Sequence, residues 1–267
     1  MKTENNSFIQ FINDTAGLIF DDSNHPEYPI KYFNLIDGEG LEADDEKSYY
    51  GYVYQGIVQL NTAGRGPIIL MDGMYFSLNG WFDIENQSLT SKVVVIEVDH
   101  NKGSYKSTNF SAMFHVGGPI EPQGRLKYID GCSDSLLISP VKMGNPCFNH
   151  LHFPKDIEQT PHTHPTHRIG IVASGNGKCV TPFGNLPLTK GMIFVIKEWD
   201  GVTFGIGLDG NEYPIGTHCF FTSDEEMDVI AFHPDSDFGP TDFDHPMINR
   251  TIVNGVPAKF LDDIRTK

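Results

Sequence analysis

Three histidines stand within six residues at His162-Thr-His164-Pro-Thr-His167, and Arg168 follows directly. Side chains at i and i+2 of an extended strand lie on one face, so His162 and His164 present two imidazoles side by side. Such a pair is a half-site for a divalent metal ion. In an unbroken strand, positions 162, 164 and 168 share parity, which turns Arg168 towards the pair and His167 away from it. A bulge near Pro165 would reverse this and make His167 a fourth ligand. A guanidinium beside a metal repels the ion but grips a carboxylate or phosphate at two points. Gln159 is placed to act as a ligand or to hydrogen-bond to one.

Other groups carry weaker signals. His150-Leu-His152 is a second i, i+2 pair on the preceding strand, placed either to line a cavity or to meet solvent. The stretch His233-Pro-Asp235-Ser-Asp237 through Asp242, Asp244 and His245 is dense in carboxylates and turn residues. It reads as a cap, a cation site or an ordered tail. Trp199 and Tyr213 are candidates for a lid. No Ser, Cys or His forms a recognisable nucleophile motif, and Gly175-Asn-Gly177 reads as a β-turn because no helix follows it.

Strands must position these groups. The chain has 27 Gly and 17 Pro in 267 residues, a composition suited to many short strands and turns. Apolar β-branched and aromatic runs occur at 49–60, 68–71, 74–78, 92–98, 148–153, 168–173, 192–196, 217–222 and 227–232, separated by Gly, Pro, Asn and Asp. Phe8, Ile9, Phe11 and Ile12 fit a short helix or an edge strand, and 258–264 fits a short terminal helix. The reading is therefore all-β, with short helices at the termini.

The two halves share a pattern. Gly51-Tyr-Val-Tyr-Gln-Gly56 precedes Gly73-Met-Tyr-Phe, and Gly170-Ile-Val-Ala-Ser-Gly175 precedes Gly191-Met-Ile-Phe, at offsets of 119, 119 and 118 residues. This suggests a duplicated β domain, divided as 1–135 and 136–267.

The second half resembles the cupins, small jelly-roll barrels. His162-Thr-His164 matches the paired histidines of their first motif and Gly175 its closing glycine. Leu188-Thr-Lys-Gly191-Met-Ile-Phe matches the start of their second motif, and His218 its histidine, after an insertion around 205–216. With the internal repeat, the whole chain resembles a bicupin. The resemblance implies two jelly-roll barrels and a metal site in the C-terminal one, held by His162, His164 and His218. Arg168 stands where the cupin motif often has glutamate. The first-half equivalents of His162, His164 and Arg168 are Ala43, Asp45 and Tyr49, which implies a degenerate N-terminal barrel with a structural or dimerising role.

Three neutral imidazoles leave a divalent ion its full charge and open positions. Such a centre binds an anionic substrate, activates water, or takes up dioxygen if the metal is Fe(II). The expected function is a small-molecule metalloenzyme, an Fe(II) dioxygenase whose substrate carboxylate is held by Arg168. The alternatives are a redox-neutral isomerase, lyase or hydrolase using Mn(II), Zn(II) or Ni(II), and a non-enzymatic ligand-binding barrel. A formal net charge of −16 argues against nucleic-acid phosphates or anionic membranes as partners. Four cysteines without C-x-x-C spacing read as reduced thiols, and the first 20 residues lack a secretory pattern. The expected setting is cytoplasmic, and long strand edges favour a homodimer.

Overall fold

The structure is a computed structural model. It describes residues 2–236 except 13, 37, 38, 42, 89 and 143, together with the backbone of 252, 253, 256 and 257. Met1–Ser236 form one compact unit and Asp237–Lys267 a second. In the second unit, Ile252–Val253 pairs antiparallel with Val256–Pro257. The helix expected at 258–264 and the acidic residues from 237 onward lie outside the described residues.

The first unit is built almost entirely of antiparallel strands. A six-stranded sheet is formed by residues between Gly17 and Gly117, and a three-stranded sheet by Ile57–Thr62, Ile68–Met71 and Phe82–Asn86. A ten-stranded sheet takes its strands from both ends of the unit. The chain therefore has the expected all-β architecture. Among the described residues no helix is long and apolar enough to cross a membrane.

Side-chain alternation divides the apolar residues among three cores. On Ser48–Gln55, Tyr49 and Val53 join a core shared with the three-stranded sheet, whereas Tyr50, Tyr52 and Tyr54 point the other way. On Ile193–Ile196, Phe194 and Ile196 enter a second core, and Ile193 and Val195 point away from it. The residues turned away from these two cores meet in a third, which joins the two large sheets: Tyr50, Tyr52, Val94 and Ile96 pack with Ile169, Ile171, Ile230 and Phe232. This explains why the strands read as continuous apolar runs, since both faces are covered.

The repeated glycines have one physical cause in both halves. Gly51 pairs across the sheet with Phe76, and a Cβ on Gly51 would come within 2.3 Å of the Phe76 ring. Gly170 pairs with Phe194, and its Cβ would come within 2.3 Å of that ring. Gly73 and Gly191 adopt φ of +85° and +83°, a region that favours glycine. The backbone bonds match as well. Val53 N–H donates to Met74 O at 2.8 Å and Gly73 N–H to Val53 O at 2.9 Å. The counterparts, Val172 to Met192 and Gly191 to Val172, are 2.9 and 2.8 Å long.

The N-terminus departs from the helical reading. Lys2–Glu4 and Phe8–Phe11 are strands; Phe8–Phe11 pairs with Ile193–Ile196 in the ten-stranded sheet, and Lys2–Glu4 pairs with its other side and forms the edge. Phe8 fills the second core while Ile9 and Phe11 face the joining core, so apolar residues are needed on both sides of the strand. The four cysteines are buried.

Replacing Gly170 by Ala forces the buried Phe194 ring to move. The expected loss is about 1–3 kcal/mol of stability, the usual cost of overpacking. Thermal unfolding of Gly170→Ala, Phe194→Leu and the double variant checks it. The double variant should recover part of the loss if ring contact is the cause.

Candidate metal centre

His162 and His218 face each other through two reciprocal backbone bonds. Each N–H donates to the other's carbonyl at 3.0 Å. Such a pair sets both side chains on the same face of the ladder. The His162 and His218 rings lie 4.5 Å apart between centroids, and the His164 ring is 5.1 Å from His162 and 5.2 Å from His218. One nitrogen from each of the three histidines falls within 4.8 Å of the other two. The insertion before His218 leaves this register intact, because 204–214 folds back as a hairpin of Phe204–Ile206 and Glu212–Pro214. Within it Tyr213 binds Asp209, while the Trp199 N–H donates to His164 O at 2.9 Å and anchors the second histidine.

Hydrogen bonds on the Nδ1 atoms select the tautomers. His162 Nδ1 lies 2.9 Å from Thr160 O, and His218 Nδ1 lies 2.9 Å from Gly216 O. A carbonyl can only accept, so each Nδ1 carries the proton and each Nε2 presents a lone pair. Thr160 is itself held by Asp130, which accepts from its N–H at 2.7 Å and its hydroxyl at 3.1 Å. His218 Nε2 is buried with no hydrogen-bond partner.

His167 is arranged in the opposite sense. Its Nδ1 accepts the Glu198 N–H at 2.9 Å, so the proton sits on Nε2, 3.5 Å from Asp22 Oδ2. Its ring packs against Phe20 and His25, away from the three converging histidines. The segment 162–168 is not one unbroken strand, since His162 forms an isolated bridge, the chain bends at Pro165 and Thr166, and the strand begins at Arg168; His167 nonetheless lies outside the three-histidine site, on the side that parity gave it.

Arg168 lines the cavity beside the three histidines and is 2% exposed. Its Nη1 donates to Asp235 Oδ1 at 2.8 Å and to Thr166 Oγ1, and Thr166 Oγ1 donates to the same Asp235 oxygen at 2.7 Å. The carboxylate beside Arg168 in this structure is thus the protein's own. Gln159 lines the cavity, but its Oε1 accepts the Phe220 N–H at 3.2 Å. It braces the strand that carries His218.

The cavity offers about 30 Å³ among Leu151, Phe153, Phe194, Phe220 and the three histidines, room for one or two waters. His233 also lines it, on the same parity as Val229 and Ala231 along Met227–His233. From the sequence, His233 and Asp235 read as part of a tail. Strand parity was the available signal for His233, whereas nothing in the spacing pointed to Asp235 or Asp130.

Burial keeps the imidazoles uncharged. It pushes His162 below the ordinary range, His164 and His233 well below it with Arg168 adding to the effect, and His218 down to about 3, with His162 contributing. Neutral imidazoles with inward lone pairs are the form that binds a metal. An unpartnered buried Nε2 on His218 has the same requirement. These residues fit a divalent ion.

Among solved structures, a cupin 2 conserved barrel domain protein from Leptotrichia buccalis is 16% identical, with a TM-score of 0.51, over 87% of this chain and 91% of its own. Protein Ylba from E. coli is 11% identical, with a TM-score of 0.58, over 88% and 95%. A single-residue mutant of the salicylate 1,2-dioxygenase from Pseudoaminobacter salicylatoxidans, in complex with gentisate, is 12% identical, with a TM-score of 0.52, over 78% and 68%. The chain has the cupin fold. No protein-family model matches it, and no curated protein matches it.

Between pH 6.5 and about 3 the unfolded chain binds a proton at position 218 that the folded chain refuses. Stability in metal-free protein therefore falls with pH across that window, and above it this position adds no pH dependence. His218→Gln removes the group and should flatten the fall relative to the unsubstituted chain. Denaturant midpoints of both proteins across the window check this. Asp22 and Asp134, which burial raises to about 6, are common to both proteins and cancel.

Proposed function

We propose that this chain is a mononuclear non-haem Fe(II) enzyme of the dioxygenase type, acting on a small molecule that carries a carboxylate. His162, His164 and His218 hold the ion. The observation that carries the reading is the convergence of three neutral imidazoles, two with Nε2 lone pairs fixed inward by their Nδ1–H bonds. Imidazole donors suit iron, and also zinc, copper and nickel. The fold likeness to a salicylate 1,2-dioxygenase supports iron among these. Salicylate and gentisate are both aromatic carboxylates, which matches an inward arginine.

Divalent iron, when bound, would let dioxygen react with the organic substrate by relaying electrons from substrate to oxygen, with no net change in its own oxidation state. The protein's own residues set the conditions. Phe153, Phe194 and Phe220 give the cavity apolar walls. Arg168 anchors the substrate carboxylate in place of Asp235, and Gln159 holds the His218 strand in register. His167 acts from outside the cavity by fixing the Glu198 backbone that leads to Trp199. We also propose that the two sheet systems are the two barrels of a duplicated chain divided near residue 135, and that the protein assembles as a cytoplasmic homodimer.

Protein purified without chelator should contain metal. After anaerobic loading with Fe(II), it should consume dioxygen with an aromatic carboxylate such as salicylate or gentisate. His162→Ala should lower metal affinity at least about 100-fold, more than the loss of a supporting hydrogen bond, and abolish oxygen uptake. Failure to restore any metal sinks the three-histidine reading. Turnover without dioxygen moves the protein to a redox-neutral lyase, isomerase or hydrolase.

Arg168→Lys keeps the charge and loses the planar fork. It should raise KM about tenfold with a smaller change in kcat, since a two-point grip on a remote carboxylate serves binding before chemistry. Steady-state kinetics with the preferred substrate decide it, and an unchanged KM removes Arg168 from the substrate site.

A further inference from the structure

The second i, i+2 histidine pair belongs to a different cavity. Cys147–Phe153 sends Leu151 and Phe153 towards the three-histidine site. His150 and His152 point to the opposite face, where both are buried, at 0% and 2% exposed. His150 Nε2 lies 2.9 Å, and His152 Nδ1 2.8 Å, from the same oxygen, Asp228 Oδ1. Ser174 donates its hydroxyl to Asp228 Oδ2 at 2.5 Å. Burial alone would raise the Asp228 carboxyl, but the hydrogen bonds from His150, Ser174 and His152 outweigh it and hold the group ionised.

This network fixes His150. An ionised carboxylate only accepts, so both imidazoles donate to it, and the His150 proton sits on Nε2. One carboxylate does not neutralise two imidazolium ions, so the buried pair cannot be doubly charged without a large cost. With its proton on Nε2, an uncharged His150 has a lone pair on Nδ1, and that atom is buried with no hydrogen-bond partner. His150 is among the residues around a cavity of about 480 Å³, between residues of the six-stranded and ten-stranded sheets. Tyr75, Ile120, Leu136 and Leu137 form its apolar walls. The charged residues at its rim, Arg125 and Glu121, are paired with each other through two hydrogen bonds.

We infer that this cavity is a second ligand site, which takes a small, uncharged, largely apolar molecule bearing one hydroxyl donor, of the phenol class. An ionised carboxylate brings no donor and would face a lone pair backed by the Asp228 charge. An ammonium would lose its water against Tyr75, Ile120 and the two leucines. A phenol meets both demands, with its ring against the apolar walls and its hydroxyl on His150 Nδ1. Cavities of this size are typical of small-molecule sites. The inference is independent of the metal reading, because the two sites use opposite faces of one strand.

The test compares phenol with toluene, which has nearly the same shape and no donor. Isothermal titration calorimetry is run on the full chain, metal-loaded and metal-stripped. Phenol should bind one per chain at least about tenfold more tightly than toluene, the effect of one made or missing hydrogen bond. His150→Phe should erase that preference. Leu136→Trp fills the cavity from a rim position that is 38% exposed, leaves the histidine network intact, and should block both probes. Metal stripping and His162→Ala should change neither affinity. No preference for phenol in the unsubstituted protein overturns the site. So does phenol binding that survives Leu136→Trp but is lost with metal or in His162→Ala. A crystal structure grown with phenol that shows only water at Nδ1 overturns it as well.

Discussion

The candidate centre depends on two backbone hydrogen bonds, the reciprocal pair between His162 and His218. They join residues far apart in sequence and set their side chains on one face at short range. The rest of the arrangement serves that register. Gln159 replaces a backbone carbonyl as the acceptor for Phe220 N–H, one step along the same ladder. The insertion between the two halves of the site folds back on itself, so its length does not pull His218 away. Trp199 then ties His164 by its own amide, which leaves each of the three histidines anchored through its backbone.

Geometry alone would not separate ligands from neighbours in a histidine-rich segment. The proton positions do. His162 and His218 spend their Nδ1 protons on carbonyls and turn lone pairs inward, whereas His167 accepts at Nδ1 and offers a proton at Nε2. A metal at His167 Nε2 would have to displace that proton while Nδ1 remained an acceptor, which is the imidazolate form. The low pH range of His218 follows from its burial, with His162 contributing. The Arg168–Asp235 pair adds a charge to this buried setting only together with its counter-charge, as a buried arginine requires.

Much of this could be read from residue order, because strand physics is local. Parity on 162–168 gave Arg168 inside and His167 outside, which are the sides they take, although the chain bends at Pro165 and Thr166 and is not one strand there. The Gly51–Phe76 and Gly170–Phe194 contacts leave a trace in sequence, since only glycine fits under a cross-strand ring so close. Other features had no such trace. Phe8–Phe11 carries apolar residues on both faces because it lies between two cores, paired with Lys2–Glu4 on one side and Ile193–Ile196 on the other, and its pattern of 8, 9, 11 and 12 also suits a helix. Asp235 reaches Arg168 only after Met227–His233 has been laid beside Arg168–Gly175. His150 and His152 resemble the first histidine pair in spacing. Only the position of Asp228 across the sheet shows that they hold a carboxylate.

The two halves show how one strand frame serves two ends. At the place of Arg168, the first half has Tyr49, fully buried, with its ring 4.8 Å from Phe82 and its hydroxyl accepting the Asp44 N–H at 2.7 Å. At the place of His164 stands Asp45, whose carboxylate accepts the Trp81 N–H at 3.2 Å. Ala43, in the place of His162, packs against the same core. These residues turn the space into hydrocarbon and loop bonding, where the second half keeps a polar cavity. A buried aromatic side chain is worth roughly 1.5–3 kcal/mol of burial, whereas three desolvated imidazoles return nothing until a ligand arrives. Residues of both halves share the core between the large sheets, Tyr50, Tyr52, Val94 and Ile96 with Ile169, Ile171, Ile230 and Phe232, so the strands that flank the three histidines rest on apolar contacts made by the first half.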